Sequence, residues 1–138
     1  MLEDYGTDTG KSATARSATS RSLLGEQGEE AATQFLQRQG LTLIGRNIRH
    51  GHCEIDALFV HDGVLIVVEV KTRSSNRFGD GFDAVTPLKQ QHLRRAIVGW
   101  LHTQEAWFSE IRFDIVVVTP MQTSAGQDFL FQHSRGVF

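Results

Sequence analysis

Residues 54–71 read Glu54-Ile-Asp56-Ala-Leu-Phe-Val-His-Asp62-Gly63-Val-Leu-Ile-Val-Val-Glu69-Val-Lys71, two apolar, β-branched runs on either side of Asp62-Gly63. That dipeptide predicts a two-residue hairpin turn. With Asp62 and Gly63 as its central residues, His61 faces Val64, Asp56 faces Glu69 and Glu54 faces Lys71. Side chains alternate with period two, so the charged groups share one face with Leu58, Val60, Leu65 and Val67. The other face carries Ile55, Ala57, Phe59, Val64, Ile66, Val68 and Val70. Both faces are apolar, which predicts two central, buried strands.

Removing a carboxylate from water costs several kcal/mol unless a cation compensates it. Three acids and a lysine at one end of such a hairpin therefore need a partner. Glu54 opposite Lys71 reads as a cross-strand charge pair at a solvated strand end, contributing roughly 0.2 to 1 kcal/mol. Asp56 opposite Glu69 is different, because like charges face to face destabilise a sheet unless something positive sits between them. A bound metal ion meets that need.

Asp56 followed by Glu69-Val70-Lys71 resembles the PD-(D/E)XK restriction-endonuclease-like superfamily, and more narrowly its bacterial YraN branch. The matching blocks are Gly25-Glu26-Gln27-Gly28-Glu29, Arg46-Asn47, Glu54-Ile55-Asp56, Val68-Glu69-Val70-Lys71-Thr72-Arg73, Phe78-Gly79, Val85-Thr86-Pro87-Leu88-Lys89 and Arg112-Phe113-Asp114. Cys53 stands where the family carries glycine. The resemblance implies a nuclease-like fold with a Mg²⁺ site, Mn²⁺ being able to substitute, built on Asp56, Glu69, the Val70 carbonyl and Glu29. It also implies that Lys71 acts on the attacking water or on developing charge.

The 138 residues suit one domain, and 40% hydrophobic with 22% charged residues is ordinary for a soluble globular protein. No apolar run approaches a membrane span. The single cysteine excludes an internal disulfide and fits a reducing, cytoplasmic location. A net charge of -2 does not announce a nucleic-acid binder, but its distribution is uneven. Residues 71–95 hold Lys71, Arg73, Arg77, Lys89, Arg94 and Arg95 against Asp80 and Asp83, a local excess of four positive charges that could steer a polyanion. A solvated helix face explains Arg94 and Arg95 equally well.

Along the chain, residues 1–22 lack periodicity and any apolar signal-peptide core, and read as a disordered tail. A first helix is expected from about Gly25 to Gln39, stopped by Gly40, with Leu24, Ala31, Ala32, Phe35 and Leu36 as its apolar stripe. Glu29 lies on the flank of that stripe, whereas Glu30, Thr33, Gln34 and Gln37 fall on the wet side. Gly25 and Gly28 allow another element to approach. Glu29 is either a first-turn glutamate favoured by the helix dipole or, as the resemblance implies, a site residue.

Leu41–Arg49 reads as a strand. His50, His52, Glu54 and Asp56 share a parity that would suit a transition-metal site, but Gly51 interrupts the strand between them. Cys53 has the opposite parity to Asp56 and reads as core. A polar loop from Lys71 to Asp83 is long enough to cover a site. Thr86-Pro87 then starts a second helix, whose Lys89, Leu93, Ala96 and Trp100 recur at helical spacing, so Lys89 points inward. Trp107 and Phe108 suit either packing or base stacking. Ile111–Thr119 reads as a buried strand ended by Pro120, and Asp128–Gln132 as a short edge strand.

These elements give a single α/β domain over residues 23–133, a mixed sheet flanked by helices in the order αβββαβ, with residues 134–138 as a C-terminal tail. The function expected is a Mg²⁺-dependent nuclease acting on DNA, including branched recombination or repair intermediates, with Arg73, Arg77, Lys89, Arg94 and Arg95 holding the nucleic acid. A nucleic-acid-binding module that keeps the fold without turnover is the alternative. Glycoside hydrolysis fits less well, since residues facing across a hairpin stand too close for its carboxylate pair and Lys71 has no task there. Junction cleavage would call for a homodimer, for which no residue here argues.

Overall fold

The computed structural model describes residues 12–73 and 85–138. Its elements are α1 (Ser12–Arg38), β1 (Thr42–His50), β2 (Cys53–His61), β3 (Val64–Thr72), α2 (Pro87–Leu101), β4 (Glu110–Thr123) and β5 (Gly126–Ser134). The strands form one sheet in sequence order, antiparallel except between β3 and β4, which run parallel because α2 carries the chain back between them.

The turn is the expected one. Asp62 and Gly63 hold φ at 51° and 78°, both left-handed, and the β2/β3 register runs from His61/Val64 to Ala57/Val68. One core, under α1, contains Ala57, Phe59, Ile66, Val68 and Val70 with Ala32 and Leu36. The other, under α2, contains Leu58, Leu65 and Val67 with Leu93, Ala96 and Ile97. Helices on both faces explain why the hairpin is apolar on both sides.

α1 begins at Ser12, not near Gly25, so it extends into the stretch expected as tail. Adding residues to an existing helix is far easier than nucleating one, and Ser, Ala and Arg offer no breaker there. Residues 1–11 of the expected tail lie outside the described residues. The helix stops as expected: Gly40, at φ 98°, donates to the Gln37 carbonyl and Leu41 donates to that of Leu36, closing the last turn. Thr33, expected on the wet side, is buried, and its hydroxyl donates to the Glu29 carbonyl. α2 starts at the Thr86 cap, whose hydroxyl accepts from the Lys89 amide, with Pro87 at the first helical position.

One expectation at the C-terminal end is corrected. Pro120 does not end β4, which continues to Thr123 by pairing with β5 alone. Beyond Val118 the strand no longer pairs with β3, so a missing N–H costs little there. The C-terminal tail is docked on the sheet: Phe138 stacks on Phe113 at 4.9 Å and the Val137 amide donates to the Phe113 carbonyl. No helix among the described residues is long and apolar enough to cross a membrane.

Candidate functional site

The central hairpin is distorted at one residue, Asp56. Asn47, opposite it in β1, has left-handed backbone at φ 52°, and the β1/β2 pairing passes from Arg46/Ala57 to Ile48/Ile55 without them. On the other side the β2/β3 ladder stops at Ala57/Val68. Continued alternation would give the Val70 N–H to the Ile55 carbonyl; Asp56 Oδ2 accepts it instead, at 2.8 Å. The expected pairs Asp56/Glu69 and Glu54/Lys71 are therefore absent from the ladder. Face alternation slips here too, since Ile55 packs under α2 with Leu58 while Ala57 packs under α1.

Glu54 is paired with Arg49, its neighbour across β1, at 3.5 Å, not with Lys71. Cys53 is buried in the core under α2 and is not among the positive-φ residues, so the strand enters Glu54 on ordinary backbone that needs no glycine. Burial pushes its thiol pKa up, as befits a packing residue.

Although unpaired in the ladder, Asp56 and Glu69 remain close enough to repel each other. Glu69 is 5% exposed and reaches the α2 side, where Lys89 Nζ stands 3.5 Å from its Oε2. The inward reading of Lys89 holds, but its partner is a carboxylate. Glu69 Oε1 is buried and has no hydrogen-bond partner among the described residues. Burial, against the opposing charges of Lys89 and Lys71, raises the Glu69 pKa. Burial and then the Glu69 charge raise that of Asp56 to about 7.

Glu29 approaches from α1. Of the two glycines expected to permit close packing, Gly28 does so, for an added Cβ would overlap Thr72 Oγ1, whereas Gly25 has nothing near it. This contact sets the next residue, Glu29, beside the end of β3. Burial and then the charge of Asp56 raise its pKa to about 7, against Arg46, whose guanidinium lies 4.0 Å away. Arg46 binds Glu30 more closely, at 2.6 Å. Among the described residues no three His, Cys, Asp or Glu side chains converge at metal-ligand spacing. Glu29 thus borders the Asp56/Glu69 pair, and the histidine-containing set around His50 and His52 forms no such cluster.

The expected nucleic-acid residues separate. Arg73, half-buried beyond β3, donates its amide to the Val118 carbonyl. Arg94 lies over the rings of Phe113 and Phe138, at 5.3 and 5.6 Å. Arg95 lines a cleft with His50 and His92. Arg77, with the loop expected to cover the site, lies outside the described residues. Phe108 packs on Trp100. Trp107 is 82% exposed, but its loop is tied to Gly63 through Ser109, six residues and about 20 Å along β3 from Glu69. It is too far away to stack a base at the carboxylates.

A second buried ionic group was not anticipated. Asp114 is 1% exposed and accepts two hydrogen bonds from Arg112, one from the Gly136 amide and a contact of 2.9 Å from His133 Nε2. Burial raises the Asp114 pKa, but the bonds from His133, Arg112 and Gly136 outweigh it and hold it at about 2. The signal lay in the sequence as a lone acid within the apolar run Ile111–Thr119, with Arg112 two positions away on the same face.

Fold and site define a small mixed-sheet α/β protein with acids and lysines gathered where its central hairpin opens. The chain belongs to the uncharacterised protein family UPF0102, whose sequence model matches residues 28–118, a span that includes Glu29, Asp56, Glu69, Lys71 and Lys89. It is 41% identical over 119 residues to a UPF0102 protein of Mycolicibacterium gilvum, covering 85% of this chain and 94% of that one. To one of Beutenbergia cavernae it is 42% identical over 118 residues, covering 85% and 97%. To one of Oleidesulfovibrio alaskensis it is 39% identical over 95 residues, 69% of this chain, and it spans about half of that relative, 47%.

Proposed function

We propose that the protein is a divalent-metal-dependent nuclease that hydrolyses phosphodiester bonds of DNA, branched recombination or repair intermediates among its substrates. The observation that carries this reading is the mutually repelling pair of half-buried Asp56 and buried Glu69, with Glu69 Oε1 unsatisfied among the described residues. A buried carboxylate oxygen without a partner costs about 1–3 kcal/mol or more, and a divalent cation would relieve both that cost and the repulsion. Asp56 and Glu69 would hold Mg²⁺ or Mn²⁺ together with the Val70 carbonyl, which leaves the strand on the same side as the amide bound by Asp56. Such an ion supplies Lewis acidity and lowers the pKa of bound water.

The remaining work falls to the chain's own groups. Lys71, one residue beyond Val70, offers a compact ammonium to a phosphate oxygen or an attacking water. Lys89 holds Glu69 in position. Glu29, with its pKa near 7, can take up a proton at neutral pH from the border of the site.

That no three acids converge among the described residues favours a second reading, a nucleic-acid-binding module without turnover. Magnesium calorimetry followed by cleavage assays on duplex, flap and four-way-junction DNA separates the two. Metal binding with cleavage supports the nuclease; DNA binding without cleavage at any metal concentration supports the module.

A further inference from the structure

On the α2 side of the carboxylates, a cleft of about 280 Å³ opens between the β1–β2 turn and the helix, lined by His50, His52, Cys53, His92, Arg95 and Ala96. Its polar side chains are three imidazoles and a guanidinium, and among the described residues no acid lines it. None of the four has an ion pair or hydrogen bond among the described residues. The His50 ring lies directly on Gly99, where an added Cβ would overlap its atoms, so a side-chain-free position on α2 fixes this imidazole against the helix. Arg95 brings a permanent positive charge to a wall whose other polar groups are imidazoles, and an anion in the cleft would meet that charge together with ring N–H donors.

The cleft adjoins the candidate site. Cys53 on its wall feels the charges of Lys89, Glu69 and Asp56. Along α2, Lys89, His92 and Arg95 follow at three-residue steps, so Arg95 lies about 9 Å beyond Lys89 on the helix axis. That is the rise of two or three nucleotides at about 3.4 Å each.

We propose that this cleft is a phosphate subsite, in which Arg95, His92 and His52 hold a backbone phosphate of the nucleic-acid strand that passes Asp56 and Glu69. The identity of the phosphate's carrier rests on the nuclease reading; the anion site does not. Histidine suits the task because its imidazole N–H donates whether the ring is neutral or charged, and arginine because its planar fork matches phosphate.

Two measurements on the full chain test it. In the first, imidazole NMR signals are followed during titration with inorganic phosphate. Those of His52 and His92 shift saturably, and Arg95→Gln weakens the response at least about fivefold. In the second, fluorescence anisotropy follows a labelled oligonucleotide binding to metal-free protein. The double variant His92→Gln/Arg95→Gln, checked for folding by thermal melting, loses about tenfold in affinity, and its salt slope falls by about one. Silent imidazoles, or unchanged affinity and slope in the double variant, overturn the subsite. Imidazoles that respond to phosphate in a protein that binds no magnesium support the subsite and remove the metal reading. Magnesium binding with silent imidazoles removes the subsite alone.

Discussion

Lys71 and Lys89 divide the positive charge around Glu69 unequally. Lys89 stands 3.5 Å from the carboxylate and is committed to it, whereas Lys71, near the end of β3, acts on Glu69 through its field and under the proposed function would meet the substrate. If Lys71 were only a counter-charge, Lys71→Arg would be nearly silent. A site that needs a compact ammonium will not accept the longer, planar guanidinium, which also cannot lose a proton near neutral pH. On a DNA substrate that the parent cleaves, Lys71→Arg and Lys71→Ala should both lose at least about tenfold in turnover, roughly 1.4 kcal/mol of transition-state stabilisation. Their magnesium affinity should fall far less than that of Asp56→Asn. An arginine variant cleaving at the parental rate would leave Lys71 as a counter-ion.

At the level of elements, the hairpin was legible because Asp62-Gly63 admits one turn and hence one register. The end of its ladder was not, since that depends on left-handed backbone at Asn47, whose place opposite Asp56 only the folded sheet reveals. Lys89 could be aimed inward from helical spacing alone, but its partner Glu69 lies on another element. Likewise Asp114 could be singled out as an acid in an apolar strand, yet His133 and Gly136 come from the far end of the chain. The contact of α1 with β3 makes a prediction of its own. Gly28→Ala places a methyl on Thr72 Oγ1, a short, β-branched side chain with little room to yield. Denaturant unfolding should show a loss of about 1–3 kcal/mol, as overpacking costs, and NMR should show the Glu29 carboxyl displaced from Asp56. A variant as stable as the parent would mean that α1 and β3 can move apart freely.

For the molecule as a whole, three acids with raised pKa values set the pH dependence of stability. A carboxyl whose pKa is higher folded than unfolded binds its proton more tightly in the native state, so its destabilising effect grows as pH rises from the unfolded value near 4 through the folded value. For Asp56 and Glu29 that window closes at about 7. Without metal, stability should fall between pH 4 and pH 7, and Asp56→Asn and Glu69→Gln should flatten the fall. Asp114 acts in the opposite sense: its contribution is complete above about pH 4 and is lost as pH drops through about 2.

Magnesium should reverse the neutral-pH loss, because a cation bound by ionised carboxylates must displace their protons. Calorimetric titration of Mg²⁺ into the parent, Asp56→Asn and Glu69→Gln at pH 6 and pH 8 therefore tests whether these two carboxylates hold a metal ion. A metal site on Asp56 and Glu69 gives saturable binding to the parent that is tighter at pH 8, proton release at pH 6, and at least tenfold weaker binding in either variant, both still folded and, without metal, at least as stable as the parent. Parental heats that match those of the variants at both pH values, with both variants clearly less stable than the parent without metal, would rule out the metal site and make Asp56 and Glu69 a structural pair.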